Sequence, residues 1–364
     1  YQTSTPSSID LPKRGMTLRP GVLPYIDDRL VYQAIVDLLA PHFVPEPSVF
    51  SNKLADSTST NLFLPGVTSW IAFQNKVEEL CNLYPFVVET DITAYFDHIN
   101  HDILMSRISD LFKTVFDQTT LYEIKILLSR LWDKWSLGIR KFGIPQINDA
   151  SSFMGNLYLD ELDKWFSLNR LISLRYVDDI RLFAKSESQA RKILADTIVK
   201  LREMGLYVSS GKTKIQSCKE AMEQLAKGRD IITQIETYLD TKQRIGIQKA
   251  CELLRDFFLE IIGDNSKFND RQFRFCLNRL KRIYGTGIAL DLQEKAIEEV
   301  LKRFITMPEA TDVFVDYLSL FPDHDLIHEK VLDFLESHNN IYSWQEMLLI
   351  ELLIRANLKS KFKK

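Results

Sequence analysis

The sequence predicts an α+β domain followed by an all-helical one, and three observations carry that prediction. Up to about Lys219, strand-like apolar runs alternate with helical stretches, and most of the Pro and Gly punctuation falls there. Past Glu220 the apolar spacing turns almost wholly helical. With 364 residues, 45% hydrophobic and 26% charged, the chain can bury one large core or two ordinary ones, which excludes disorder and a short disulfide scaffold. The expected domains are residues 1–219 and 220–364.

In chain order, the Ser/Thr/Pro-rich opening has no basic stretch leading into an apolar one, so it is not a signal peptide and reads as the ragged start of a trimmed chain. The Thr/Ser run at 58–60 reads as a loop. From Phe86 an apolar strand runs to Asp91 and passes into a helix from His101 on, with Asp97 and Asp102 expected as helix caps. Ile172, Leu174 and Tyr176 alternate with other residues, as do Ile180, Leu182 and Ala184, so two short strands flank Val177-Asp178-Asp179 as a hairpin tip.

In the second half, apolar residues recur at helical spacing over 250–261, 273–280 and 297–304, separated by short polar connectors. Ser343 and Glu346 have capping-box spacing at the start of the last helix. Antiparallel helices on short loops predict a HEAT-like stack, with a closed bundle as the alternative.

Charge and composition narrow the function classes. The 46 basic and 49 acidic residues give a net charge of -3, so a nucleic-acid partner must be held by a local patch. Four scattered cysteines without a C-x-x-C pair argue for buried thiols in a reducing, cytoplasmic setting. No run of about 18–20 apolar residues offers a membrane span. The six histidines form no zinc-hydrolase pair, no phosphate-binding G-x-x-x-x-G-K-[ST] loop exists, and the tryptophans are expected to pack.

An Asp-Asp pair at a turn is common by itself. A strand-end Asp91 beside Asp178 and Asp179 offers the few hard oxygens that two Mg²⁺ ions use, with other positions left for water and phosphate. Without cations, three such carboxylates repel one another. Two-metal catalysis activates an attacking hydroxyl and stabilises leaving pyrophosphate.

The run Asp91-x-x-x-x-Phe96, then Gly143-Ile144-Pro145-Gln146, then Tyr176-Val177-Asp178-Asp179, then Met204 to Val208 with Lys212-Thr213, resembles motifs A to D of the reverse transcriptase palm in order and spacing. The resemblance covers residues 14–215 and implies a fingers and palm fold. It further implies that Asp91 and Asp178 ligate or bridge two Mg²⁺ ions, or Mn²⁺, with Asp179 nearby and the Ile92 carbonyl completing a site. Phe96 would be the aromatic gate that selects deoxynucleoside triphosphates, a core aromatic being its plainer reading. Gln146 would pack near the nascent pair, Lys53 would meet the triphosphate with Arg14 and Arg29 as alternatives, and Lys212 would serve the departing pyrophosphate.

The chain departs from that pattern in two places. Ile147-Asn148-Asp149 follows Gln146 where a glycine and small residues are usual, and Ile215 to Lys219 leads toward helices without a primer-grip hairpin or a recognisable thumb. These departures, with Pro24, Asp27, Arg29, Tyr32, Gln33 and Ala34 and the run 149–152, resemble the abortive-infection (AbiK-like) group of bacterial antiphage reverse transcriptases. That resemblance implies a HEAT-like domain in place of the thumb, a homo-oligomer, and untemplated DNA synthesis whose product is attached through a tyrosine. An RNA partner is left open. A conventional RNA-templated enzyme of the retron or group II intron kind, and a non-catalytic scaffold, are the alternatives. A net charge of -3 suits an enzyme that holds no long duplex.

Overall fold

The computed structural model describes residues 1–136, 141–146, 149–226, 229–263, 268–288 and 290–356. The chain forms two compact units, Tyr1–Ser8 with Val22–Leu225, and Ile9–Gly21 with Ala226–Lys364. A two-stranded hairpin of β1 (Ser7–Lys13) and β2 (Thr17–Leu23) opens the chain, and its central residues belong to the second unit.

The first unit continues with α1 (Ile26–Leu39), α2 (Gly66–Cys81), β3 (Phe86–Asp91), α3 (His101–Phe112), α4 (Gln118–Trp135) and α5 (Asp149–Leu168). It is completed by β4 (Ile172–Tyr176), β5 (Asp179–Ala184), α6 (Glu187–Glu203), β6 (Lys214–Ser217) and α7 (Cys218–Ala226). The four strands form an antiparallel sheet in the order β4-β5-β3-β6.

Strand alternation gives this sheet two apolar faces. Val88, Ile180, Leu182 and Ala184 join the main core beneath α1 and α3 to α6. Val87, Leu174 and Phe183 instead join a smaller cluster with Phe73 and Val77 of α2 and with Cys218 and Ala221 of α7. Helix α4 buries one stripe, turning Leu121, Ile124, Leu128, Leu131, Trp132 and Trp135 inward, whereas α5 is buried on nearly every side from Ala150 to Asp163. Each such apolar side chain contributes about 1.5–3 kcal/mol when fully buried.

The cap of α3 differs from expectation. Asn100, not Asp97 or Asp102, is the N-cap, its side chain accepting the Ile103 N–H at 3.0 Å. Asp97 lies earlier, in a 3-10 turn over Tyr95–His98, while Asp102 already sits in the first helical turn and pairs with Lys141 at 2.9 Å.

The second unit contains α8 (Arg229–Asp240), α9 (Arg244–Gly263), α10 (Asp270–Ile283), α11 (Leu290–Lys302), α12 (Thr311–Leu318), α13 (Asp325–Glu336) and α14 (Ser343–Arg355). Its described residues past Ala226 contain no strand. Phe258, Phe273, Leu277, Ile297, Phe314 and Leu353 lie in its continuous core. The capping box at Ser343 does not form, because Ser343 is the first helical residue and Tyr342 occupies the cap without a side-chain bond. All four cysteines are free, three of them buried and Cys81 half-buried.

Candidate active site

Asp91, the last residue of β3, faces Asp179, the first of β5, across the antiparallel ladder. Val177 and Asp178 form the turn between β4 and β5, with Tyr176 paired to Asp179. The turn is therefore two residues long, and Asp179 belongs to the strand. Directly opposed residues carry their Cβ atoms about 4.5–5.5 Å apart on one face. The carboxylates of Asp91 and Asp179 thus share a face, with Asp178 at the adjoining turn.

Backbone bonds fix this corner. The Ile92 N–H donates to the Asp178 carbonyl at 3.2 Å. Ile92 also bridges Val208, with Ser209 N–H donating to the Asp91 carbonyl at 2.7 Å and Thr93 N–H to the Tyr207 carbonyl at 2.8 Å. The Ile92 carbonyl takes no part in those bonds. The bridge brings the turn after α6 against the end of β3, where Lys212 Nζ lies 2.8 Å from Asp91 Oδ2.

Charges alternate along the same face. Arg181 pairs with Asp179 and reaches Glu89 at 3.7 Å, and Lys214 pairs with Glu89 at 3.1 Å. Burial pushes the Asp179 carboxyl up to about 6, against the opposing pull of Arg181, and the charges of Glu89 and Asp178 add to the rise. Arg181 and Glu89 were not singled out from the sequence. Their signal is the charge at alternate strand positions, Glu89 with Asp91 and Asp179 with Arg181, in otherwise apolar runs.

The donor chemistry fits a hard divalent cation. Among the described residues, no three His, Cys, Asp or Glu side chains are gathered as a ready-made metal cage. Mg²⁺ does not need one, since it is usually held by one or two carboxylates with substrate phosphates and water. Asp91 and Asp178 supply such oxygens at one sheet end, while the carboxylate of Asp179 is taken up by Arg181.

The other residues singled out from the sequence adjoin this corner to different degrees. Ile144 N–H donates to the Phe96 carbonyl at 3.0 Å and Gly143 N–H to the Ile99 carbonyl at 2.9 Å, which ties the Gly143–Gln146 segment to the stretch after Asp91. Gly143 holds a φ of +86°, a left-handed value that glycine takes without strain. Phe96 is buried in the main core, its ring 5.2 Å from that of Tyr95. Gln146 is exposed, and Ile147 and Asn148 lie outside the described residues.

Lys53 places its ammonium 4.3 Å from the Phe50 ring centre, and partial burial lowers its pKa. Its loop reaches the Val177 turn through Ser51. Arg14, an alternative for the same role, is ion-paired with Asp270 inside the second unit. After β6, Ser217 and Glu220 exchange capping bonds at 3.1–3.2 Å and turn the chain straight into α7.

Comparison with known proteins adds a family. No curated protein matches the chain in sequence. Similar solved structures include apo telomerase from Candida Tropicalis, 14% identical, covering 99% of this chain and 67% of that one at a TM-score of 0.42. They also include the same telomerase truncated from its C-terminal domain, 17% identical, covering 58% of this chain and 50% of that one at 0.40. Telomerase from Candida albicans in complex with a TWJ fragment of telomeric RNA is 12% identical, covering 95% of this chain and 66% of that one at 0.42. The chain thus spans half to two thirds of the length of these structures. The family model described as reverse transcriptase (RNA-dependent DNA polymerase) matches residues 11–274, well over half of the chain. The chain belongs to the reverse transcriptase family.

Proposed function

We propose that this chain is a divalent-metal-dependent DNA polymerase that adds deoxynucleotides without a template and starts from a protein hydroxyl, in antiphage defence. The observation that carries the polymerase reading is the meeting of Asp91, Asp178 and Lys212 at one end of the sheet. Reverse transcriptases generally work with divalent metal ions, usually Mg²⁺. Bound there, such ions would acidify the attacking hydroxyl and neutralise charge on the phosphates.

The chain's own groups have separate tasks. Asp91 and Asp178 would hold the divalent cations at the sheet end, with Asp179, paired with Arg181, beside them. The attacking hydroxyl gives its proton to water as its oxygen bonds the α-phosphorus and the bond from that phosphorus to the leaving pyrophosphate oxygen breaks. Lys212, beside Asp91, would donate a proton to the departing pyrophosphate. Phe96, five residues after Asp91, would be the aromatic gate that selects against a 2′-hydroxyl.

The direct passage from β6 into α7, without a following hairpin, supports an enzyme that does not grip a long primer duplex. The departures after Gln146 support the abortive-infection group. A second reading, RNA-templated synthesis, is favoured by the family description itself. Purified protein incubated with Mg²⁺ and labelled deoxynucleotides, with and without RNA template, separates the two. Protease-sensitive product without template is expected, and strict template dependence favours the second reading. Equal incorporation by an Asp178→Ala variant would exclude this site as the polymerase.

A further inference from the structure

Val177 is β-branched yet holds a φ of +55°, a left-handed conformation that costs such a residue about 1–2 kcal/mol. Its peptide is gripped from both sides. The Val177 N–H donates to Ser51 Oγ at 3.2 Å, and the Val177 carbonyl accepts from Arg175 Nη1 at 2.8 Å. Both gripping groups are buried and are themselves held. Arg175 Nε and Nη2 donate to the two oxygens of Asp163 at 2.8 and 2.5 Å, and Nη1 donates a second bond to Asn156 Oδ1 at 3.0 Å. Ser51 Oγ donates to the same Asn156 Oδ1 at 2.9 Å, while Asn156 Nδ2 returns a bond to the Ser51 carbonyl at 2.9 Å.

Ser51, Asn156, Asp163 and Arg175 are each 3% exposed or less. The loop carrying Ser51 is laid along β4 by backbone bonds between Phe50 and Arg175 and between Arg175 and Ser48, both 2.9 Å. The bidentate pair with Asp163 uses two of the five guanidinium N–H groups. Nη1 divides its own two between Asn156 Oδ1 and the strained peptide that precedes Asp178.

We propose that Ser51, Asn156 and Arg175, anchored by Asp163, are positioning residues that hold the Val177 peptide left-handed and so set the place of Asp178 relative to Asp91. The proposal rests on the polymerase reading for its consequence in catalysis, while the turn's conformation can be read without any activity. Guanidinium geometry is what the site uses: a lysine at 175 keeps one charge for Asp163 but cannot reach Asp163, Asn156 and Val177 together.

The test uses the full chain as Ser51→Ala and as Arg175→Lys, each alone and combined with Val177→Gly, since glycine takes a positive φ at no steric cost. Three quantities are measured: amide hydrogen exchange over residues 174–180, Mn²⁺ affinity by electron paramagnetic resonance, and the thermal midpoint. Ser51→Ala and Arg175→Lys are expected to lose about tenfold or more in exchange protection at the turn and about tenfold in Mn²⁺ affinity. Ser51→Ala keeps its thermal midpoint within a few degrees. Adding Val177→Gly is expected to restore most of the Mn²⁺ affinity. Unchanged exchange in both single variants, or a fall in Mn²⁺ affinity that Val177→Gly leaves in place, would overturn the proposal. If the unaltered protein binds no Mn²⁺, the polymerase reading fails, and the exchange measurement still decides whether these residues hold the turn.

Discussion

Lys212 Nζ lies 2.8 Å from Asp91 Oδ2, so the carboxylate at the end of β3 is shared between an ammonium and whatever cation the site receives. The lysine side chain is 67% exposed, and an exposed pair of this kind is worth about 0–1 kcal/mol. Lys212→Ala is therefore expected to bind Mn²⁺ up to about 5-fold more tightly, because a competitor for Asp91 is gone. The same variant is expected to lose about 10²-fold in nucleotide incorporation if the ammonium is the proton donor. Titration and single-turnover incorporation on one preparation check both signs.

Phe96 is a core residue, and the proposed gate role can be separated from its packing. It is 6% exposed and packs in the main core, so Phe96→Ala is expected to cost about 3–5 kcal/mol in urea denaturation. A gate adds a second effect: the preference for deoxyribonucleotides over ribonucleotides falls by about 10–100-fold in the variant. A core residue without that duty lowers use of both nucleotides alike.

The Arg175–Asp163 pair is almost fully buried, at 2% and 3% side-chain exposure. Asp163→Ala leaves the guanidinium uncompensated and is expected to destabilise the protein by about 3–5 kcal/mol. Replacing both partners, as Asp163→Leu with Arg175→Met, is expected to recover most of that loss in urea denaturation. Polymerase activity is not expected to return with it, since the bond to the Val177 carbonyl stays absent.

His101 should make stability fall on the acid side. Its Nε2 contacts the Gly143 carbonyl at 2.7 Å, its Nδ1 is buried without a partner, and burial lowers its pKa below 6.5. The unfolded chain then binds more protons than the folded one below pH 6.5. The stability present above that value is lost as pH drops toward the folded pKa. His101→Gln keeps a donor for Gly143 and has no titration, so its urea midpoint is expected to change less between pH 7.5 and 5.5 than that of the unaltered protein.

Much of the site's frame was legible in the sequence because its signals are local. The alternation around Val177-Asp178 and the run from Phe86 to Asp91 give a hairpin and a strand without reference to anything distant. The register that sets Asp91 opposite Asp179 joins segments almost ninety residues apart, and no local pattern specifies it. Arg175 illustrates a subtler case. Asn156, Asp160 and Asp163 fall at i, i+4 and i+7 on α5, a buried polar stripe on an apolar helix, and that pattern asks for a buried partner. The partner's identity depends on which strand α5 covers. The caps were missed for a different reason: Ser343 and Asp102 have the right chemistry one or two residues from where the backbone enters the helix.

The central position of β3 has a consequence for biosynthesis. Its neighbours on either side, β5 and β6, are encoded about ninety and about 125 residues later. A nascent chain stopped before residue 179 has no partner for Asp91, and one stopped before residue 214 leaves an edge of β3 unpaired. Such distant pairings close slowly, because loop entropy must be overcome before the contacts form. The ribosome must therefore deliver nearly the whole first unit before Asp91 can face Asp179, and an N-terminal fragment released early carries the aspartate without its sheet neighbours.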